Sequence, residues 1–462
     1  MVRRRQRERS LWEVVLPDAD KLWPADLRRI DALLDDDEVV AVIAQGLEAR
    51  WPASRRRGRR GTSAEVVLRL LVLKHLYGLS DAALERDVRA NLVYRAFVRI
   101  GGDPVPDEKT ILKIAKTLGP QAIAALHQRV VQLAVSTGVA KGRRLRIDTT
   151  VVETTVHYPT DSSLLIDGVR VLTRTATRIV NAIGAGRHRV RNRLRSAWHR
   201  GLEITRAARS VKTQAALPRS YRRLMAAGRA TMREAKTMSR RARQYVRRVD
   251  LWQRGEWEAL QQSRASAWPL IQRVIDQTRR RVFGGDTHGA EKVPSLFEPH
   301  TEAIRKGKIA KPTEFGKLVT IQEAEHPIVT AYAVHDHRPA DVTLWKPALE
   351  LHEQTFGRAP ELAAADRGFT SAANEEAARQ HGVRRVVLPR PGYCPPERRA
   401  VERQRWFRRA QRWRVGCEGR VSVLKRRFGL RRCLYHGRDG VQRWVGLGVI
   451  ANNLVAIATA SP

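Results

Sequence analysis

Near the carboxyl-terminal end, in WRVGCEGRVSVLKRRFGLRRC, residues Arg414, Glu418 and Lys425 are spaced R-x3-E-x6-K. On a helix the first two stand one turn apart, and Lys425 follows on the same face because seven residues nearly complete two turns. One carboxylate and two cations then point the same way. The acid can hold a divalent cation while the bases grip a phosphate, which is what phosphoryl transfer on nucleic acid needs. Taken alone, the same spacing is also that of a solvated ion-pair ladder on an arginine-rich helix. Two further acids follow short apolar runs that read as buried strands: Asp148 in RLRIDTT and Asp366 in ELAAADRGF. A carboxylate at the end of a buried strand is costly unless it is paired or binds a metal, and ligand sites in open α/β sheets lie off the carboxyl ends of strands. Two strand-end aspartates and a helical glutamate make a candidate metal triad.

With these residues in view, the chain resembles the DDE transposases of bacterial insertion sequences, of the IS4/IS5 type, whose third motif reads Y-x2-R-x3-E-x6-K. Asp148, followed by Thr149 and Thr150, stands where the family has its first catalytic aspartate. Asp366, with Arg367 and Gly368 in a D-x-G context, stands at the second, and Glu418 at the third. Arg414 and Lys425 match the basic positions, while Gln411 occupies the place of the tyrosine. The strings HYPTDSSLL (157–165), LFEPHTEAIRKGK (296–308) and EFGKLV (314–319) extend the likeness to a branch of the group. The resemblance implies a ribonuclease H-like catalytic domain in which Asp148, Asp366 and Glu418 hold two Mg²⁺ ions, with Mn²⁺ able to substitute. It implies DNA phosphate contacts for Arg414, Lys425 and Arg367. The reaction it implies is cleavage of a phosphodiester at the element's terminal inverted repeats, then attack of the freed 3′-hydroxyl on target DNA. Two alternatives keep the same residues: a ribonuclease H-like nuclease without strand transfer, and a catalytically decayed DNA-binding relative, for which Gln411 is the motif-level hint.

Composition points to the same partner. Lys and Arg number 87 against 47 Asp and Glu, a formal net charge of +40, so the isolated chain repels itself and seeks a polyanion. Nucleic acid is the natural one. No membrane is expected, because the most apolar stretch, Val445 to Ala460, is shorter than the ~18 to 20 residues of a spanning helix and contains Asn452 and Asn453. MVRRRQRERSLWEVV has basic residues but no following apolar segment like that of a secretory signal, which places the protein in the cytoplasm, with the nucleoid. Cys394, Cys417 and Cys433 are odd in number and lack C-x2-C spacing, so neither a disulfide framework nor a zinc ribbon is expected. The resemblance further implies a homodimer or higher oligomer on DNA.

The elements that must position these residues follow from hydrophobic periodicity. The expected fold class is α/β: a ribonuclease H-like mixed sheet with flanking helices, plus an amino-terminal helical domain and a long helical insertion after the first strand. Residues 1–120 read as helices. SAEVVLRLLVLKHLYGLS repeats apolar residues at three and four, Gly78 breaks the pattern, Ser80 caps the next helix, and a third begins near Asp107. Helix, glycine turn and helix allow either a helix-turn-helix-like DNA-binding domain or a plain helical bundle. Residues 121–170 would form the first part of the catalytic domain, 171–310 a basic helical insertion, and 311–462 the remainder, with strands at 317–324, 327–336 and 382–389 around a helix at 342–356. The insertion interleaves its cations with Trp198, His199, Tyr221, Tyr245, Trp252, Trp257 and Trp268, which suits either backbone gripping with base stacking or ordinary internal packing. Among competing acids, Asp161 suits a helix cap.

Overall fold

The structure, a computed structural model, describes residues 2–5, 22–49, 53, 61–182, 190–209, 211–245, 251–286, 292–305, 312–390 and 392–460. The chain divides into two units by packing, one formed by 1–155 with 316–462 and the other by 156–315. In chain order the helices and strands begin with α1 (Ala25–Leu34), α2 (Asp37–Ala49), α3 (Ala64–Tyr77), α4 (Asp81–Ala90), α5 (Leu92–Phe97), α6 (Glu108–Thr117), α7 (Pro120–Ser136) and β1 (Arg144–Glu153). Then come α8 (Asp161–Ala182), α9 (Leu194–Ala207), α10 (Leu217–Tyr245), α11 (Leu251–Gly284), a four-residue strand at Glu302–Arg305, and β2 (Thr313–Glu323). The series closes with β3 (Val329–Val334), α12 (Trp345–Phe356), β4 (Leu362–Ala364), α13 (Ala372–Gln380), β5 (Arg385–Val387), α14 (Pro396–Arg403), α15 (Arg405–Arg427) and α16 (Arg438–Ala460).

Capping residues set the amino-terminal helices. Ser63 Oγ accepts from Val66 N to start α3, and Gly78, at φ 63°, ends it in the left-handed conformation that suits glycine. Ser80 then caps α4 through Ala83 N, and Asp107 caps α6 through Thr110 N at 2.6 Å. These helices do not close a core among themselves. Leu27, Val40, Leu68 and Leu126 share one buried cluster with Val319 of β2, Val329 of β3, and Val445 and Ile450 of α16.

Helix α16 explains that shared core. It lengthens the apolar run expected from the sequence to 23 residues, long and apolar enough by length and composition to cross a membrane, yet 83% of its most apolar window is buried inside the protein. Its polar residues are satisfied where they lie. Arg443 donates to the carbonyls of Ala115 and Leu118. The Asn453 carboxamide accepts from Val329 N at 2.9 Å and donates to Val329 O at 2.8 Å, doing for the β3 backbone what a neighbouring strand would do.

Within the first unit the strands lie in the order β3, β2, β1, β4, β5. Strands β3, β2 and β1 are mutually antiparallel, whereas β1, β4 and β5 run parallel. Alternation assigns the two faces. Leu145 and Ile147 of β1, with Ala363 and Ala365, pack against Trp345 and Leu349 of α12, while Ala364 and Val387 pack against Phe407 and Ala410 of α15. The sheet is therefore covered by α12 on one side and α15 on the other.

The second unit is built around four helices, α8 to α11. Leu165, Leu172, Ala197, Leu224 and Ile275 are among its buried residues, and Gly201 of α9 sits so close to α8 that a Cβ there would lie 2.5 Å from Ile166 Cδ1. Thr160, not Asp161, caps α8, its Oγ1 accepting from Ser163 N at 3.1 Å. Asp161 instead turns inward, pairing with Arg281 and accepting from Gln277 Nε2 at 3.2 Å, because a carboxylate this buried needs a cation more than a backbone amide does. The aromatics divide: Tyr221 is core, Trp268 is half-buried under Arg264, and Trp198 is exposed. The side chains of Tyr245, Trp252 and Trp257 lie outside the described residues.

Two buried histidines give the first unit a pH dependence. The Val329 carbonyl can only accept, so His127 Nε2, 2.9 Å away, carries the proton of a neutral ring, and burial pushes its pKa down to about 4. Burial, and then the neighbouring Lys74, push His75 down to about 3. An unfolded histidine titrates near ~6.5, so between there and the folded values the unfolded chain binds more protons. Stability is complete above that range and falls as the pH drops through it, by up to about 1.4 kcal/mol per pH unit for each ring. Urea midpoints should fall between pH 7 and pH 5, and His127→Gln, though less stable at pH 7, should lose less over that interval.

Candidate active site

Strand β1 carries Asp148 at its middle, not at its end as its sequence suggests. The reason lies in the two neighbours of β1. On one side β1 pairs with β2 continuously from Arg146 to Glu153, while on the other its pairing with β4 stops at Arg146 opposite Ala364. From there to Glu153, which bridges to Arg432, no strand pairs with β1 on that side among the described residues. Two residues beyond the last pair with β4 stand Asp148 on one chain and Asp366 on the other. Because Ala363 and Ala365 belong to the α12 side and Ala364 to the α15 side, alternation puts Arg146, Asp148 and Asp366 on the side of α15. The carboxyl end of the short strand β4 and the stretch of β1 just past their last pair thus bring the two aspartates to one level.

The Asp366 turn is shaped by its glycine. Asp366 Oδ1 accepts from Gly368 N at 2.9 Å, closing a short turn at Arg367–Phe369 that buries Phe369 and exposes Arg367. A Cβ at position 368 would lie 2.7 Å from Asp341 Oδ2 and 3.1 Å from Asp366 Oδ1, so glycine leaves room for a carboxylate on each of these residues. Asp341 also accepts from Thr149 Oγ1 at 3.5 Å. It joins the surroundings of the site from the turn preceding α12, and nothing in its sequence context distinguishes it from other loop acids.

The third acid comes from α15, which packs on β1 and β4. Cys417, Leu424 and Ala410 form its buried side, and the spacing places Arg414, Glu418 and Lys425 together on the adjoining face. Burial raises the Cys417 thiol well above its ordinary range, and the negative charges of Glu323 and Asp148 add to the effect. The Glu418 carboxylate is 61% exposed and accepts from Arg414 Nη2 at 3.0 Å, while the Arg414 side chain is only 13% exposed. Lys425 is half-buried and Gln411 lies one turn before Arg414. Among the described residues no three His, Cys, Asp or Glu side chains stand close enough together to hold a metal ion. The structure thus brings the three acids onto elements that touch, with Glu418 turned to its own helical arginine.

Sequence reasoning passed over a second layer at this site. Arg146, two residues before Asp148, is buried and joined to Glu323 of β2, directly across the sheet, at 2.7 Å. An arginine two positions from an acid in a basic chain carries no signal, since its partner lies 177 residues away.

The comparisons with known proteins bear on both ends of the chain. Residues 17–117 match the family described as transposase domain (DUF772), and residues 271–454 match the transposase DDE domain family. A Rhizobium meliloti protein, named uncharacterized protein ORF8 in nfe locus, is 27% identical over 160 residues, covering 32% of this chain and 77% of the relative. No solved structure matches. The two domain matches, taken with the mixed sheet, support a DDE transposase, an enzyme of DNA transposition.

Proposed function

We propose that this transposase binds the ends of its element, cleaves a phosphodiester there and joins the freed 3′-hydroxyl to target DNA, with Asp148, Asp366 and Glu418 as its catalytic acids. The observation that supports the reading is that Asp148 and Asp366 each lie two residues past the last pair of β1 with β4, on the side covered by the helix that bears Glu418. The strand order β3, β2, β1, β4, β5, antiparallel through the first three and parallel through the rest, supports a ribonuclease H-like sheet.

All three donors are carboxylate oxygens, which suit a hard divalent cation such as Mg²⁺ or Mn²⁺. The glycine-permitted approach of Asp341 to the Asp366 turn adds negative charge to the same place. Two such ions, when bound, supply the electrophilic charge that an in-line displacement at phosphorus needs. The protein's own part is positional. Arg414 has a planar fork suited to phosphate, and a DNA phosphate competing for it would release Glu418 to turn toward the aspartates. Lys425 and Arg367 lie on the same helix face and at the Asp366 turn, where they would neutralise phosphate charge. Gln411 offers an amide donor where the family's motif has a phenol.

The remaining assignments belong to the same proposal. Residues 1–120, with the Gly78 turn between α3 and α4, would recognise the element's ends, and the basic helices between 171 and 310 would hold DNA backbone. Two ends joined in one reaction call for at least two sites, hence a homodimer or higher oligomer on DNA.

Three outcomes follow. Glu418→Gln, Asp148→Asn and Asp366→Asn should each lower Mg²⁺-dependent cleavage of a labelled element end by orders of magnitude while gel-shift binding persists, and the combined variants should lose little more. Were Glu418 only part of an exposed ion-pair ladder, its loss would cost about 0.3 to 0.5 kcal/mol and leave cleavage intact. Strand-transfer products from the wild-type chain separate a transposase from a plain nuclease, which gives nicks alone. Binding of DNA should weaken steeply with salt, at about −0.9 in log affinity per neutralised phosphate, and a flat response in an anisotropy titration would remove DNA as the main partner.

A further inference from the structure

We infer that Arg146 is a positioning residue for the proposed acidic site, setting α15 against β1 so that Glu418 is presented to Asp148; the inference rests on the assignment of those acids made above. Arg146 Nε donates to Glu323 Oε2 at 2.8 Å and Nη2 lies 2.7 Å from Oε1, a two-pronged pairing with a glutamate that is wholly buried. The third nitrogen, Nη1, donates to the Trp413 carbonyl of α15, and the guanidinium carbon stands 4.8 Å from the centroid of the Trp413 ring. One turn further along α15, a Cβ at Gly416 would lie 2.6 Å from Nη1, so the helix approaches the arginine as closely as it does only because that residue is glycine. Arg420 completes the arrangement, its Nε 3.5 Å from Glu323 Oε1 and its Nη1 donating to Asn452 Oδ1 of α16 at 3.0 Å.

Helix α15 is therefore fixed to the sheet at 413, 416 and 420, and Glu418 lies between the last two. Stability alone does not account for such a network. Burying an arginine–carboxylate pair removes both charges from water, and apolar residues of the same volume commonly serve a fold as well or better. What the pair offers that apolar packing lacks is direction: a planar fork meets its carboxylate in one orientation and leaves its remaining donor aimed at one carbonyl. Here that carbonyl belongs to the helix bearing the third acid, and the strand bearing the fork carries the first acid two residues on.

The test is Mn²⁺ binding by the full-length chain, followed through the electron paramagnetic resonance signal of the free ion, beside circular dichroism, thermal unfolding and binding of an element end. Arg146→Lys keeps the charge and loses the fork. Arg146→Met combined with Glu323→Met replaces the pair by apolar volume, and Gly416→Ala pushes the helix away from the arginine. Each should fold and bind DNA as the wild type does, yet bind Mn²⁺ about tenfold or more weakly, the usual scale for residues that orient metal ligands. Folded variants with wild-type Mn²⁺ affinity would overturn the inference. So would loss of the folded state in all three, which would make the network a folding element. Failure of the underlying assignment shows elsewhere: Glu418→Gln would then leave Mn²⁺ binding unchanged, and the inference would fall with it.

Discussion

Strand β1 is asked to satisfy two different neighbours, and its second neighbour is too short. An antiparallel partner follows it for its whole second half, while the parallel partner β4, only three residues long, leaves it at Arg146. A backbone edge exposed inside a sheet covered by helices is normally closed by another strand. Between Arg146 and Glu153, where Arg432 bridges to it, β1 has no strand on that side among the described residues, at the junction of the antiparallel and parallel halves of the sheet, and such a reversal is where α/β sheets take ligands. The acids, the D-x-G turn and the covering helix are arranged around that one stretch.

Polar groups in the first unit do work that strands and loops do elsewhere. Asn453 stands in for a strand beside Val329, Arg443 reads two helix-end carbonyls, and Arg146 ties a strand to a helix. Each of these is buried and satisfied, so each fixes one arrangement among the several that apolar packing would tolerate. A chain with a net charge of +40 has arginines to spare for the purpose. The same residue type therefore serves inside as a directional tie while keeping the chain strongly basic.

How much of this was legible in the sequence varied with the range of the interaction. Caps and turns at Gly78, Ser80 and Asp107 are local, and their residues announce them. The helical face shared by Arg414, Glu418 and Lys425 is a matter of spacing on one element. Asp148 looked like the end of a strand because the apolar run stops there, but β1 continues through threonines and valines that β2 pairs, a fact held by residues far along the chain. Asp161 suited a cap by type, yet its partner Arg281 lay in another helix. The division by packing was hidden for the same reason: the apolar faces of α3 and α16 are plain in the sequence, but that they cover each other is not.

That mutual cover has a consequence for how the protein comes into being. Helices α1, α3 and α7 leave the ribosome long before α16, against which they pack. At ordinary rates of synthesis the interval between α3 and α16 is roughly 20 to 70 s. Throughout it the earlier helices lack the surface that completes them, so the amino-terminal region should exist on the nascent chain as an unfinished, chaperone-accessible intermediate. A messenger broken before α16 would then yield only material for proteolysis.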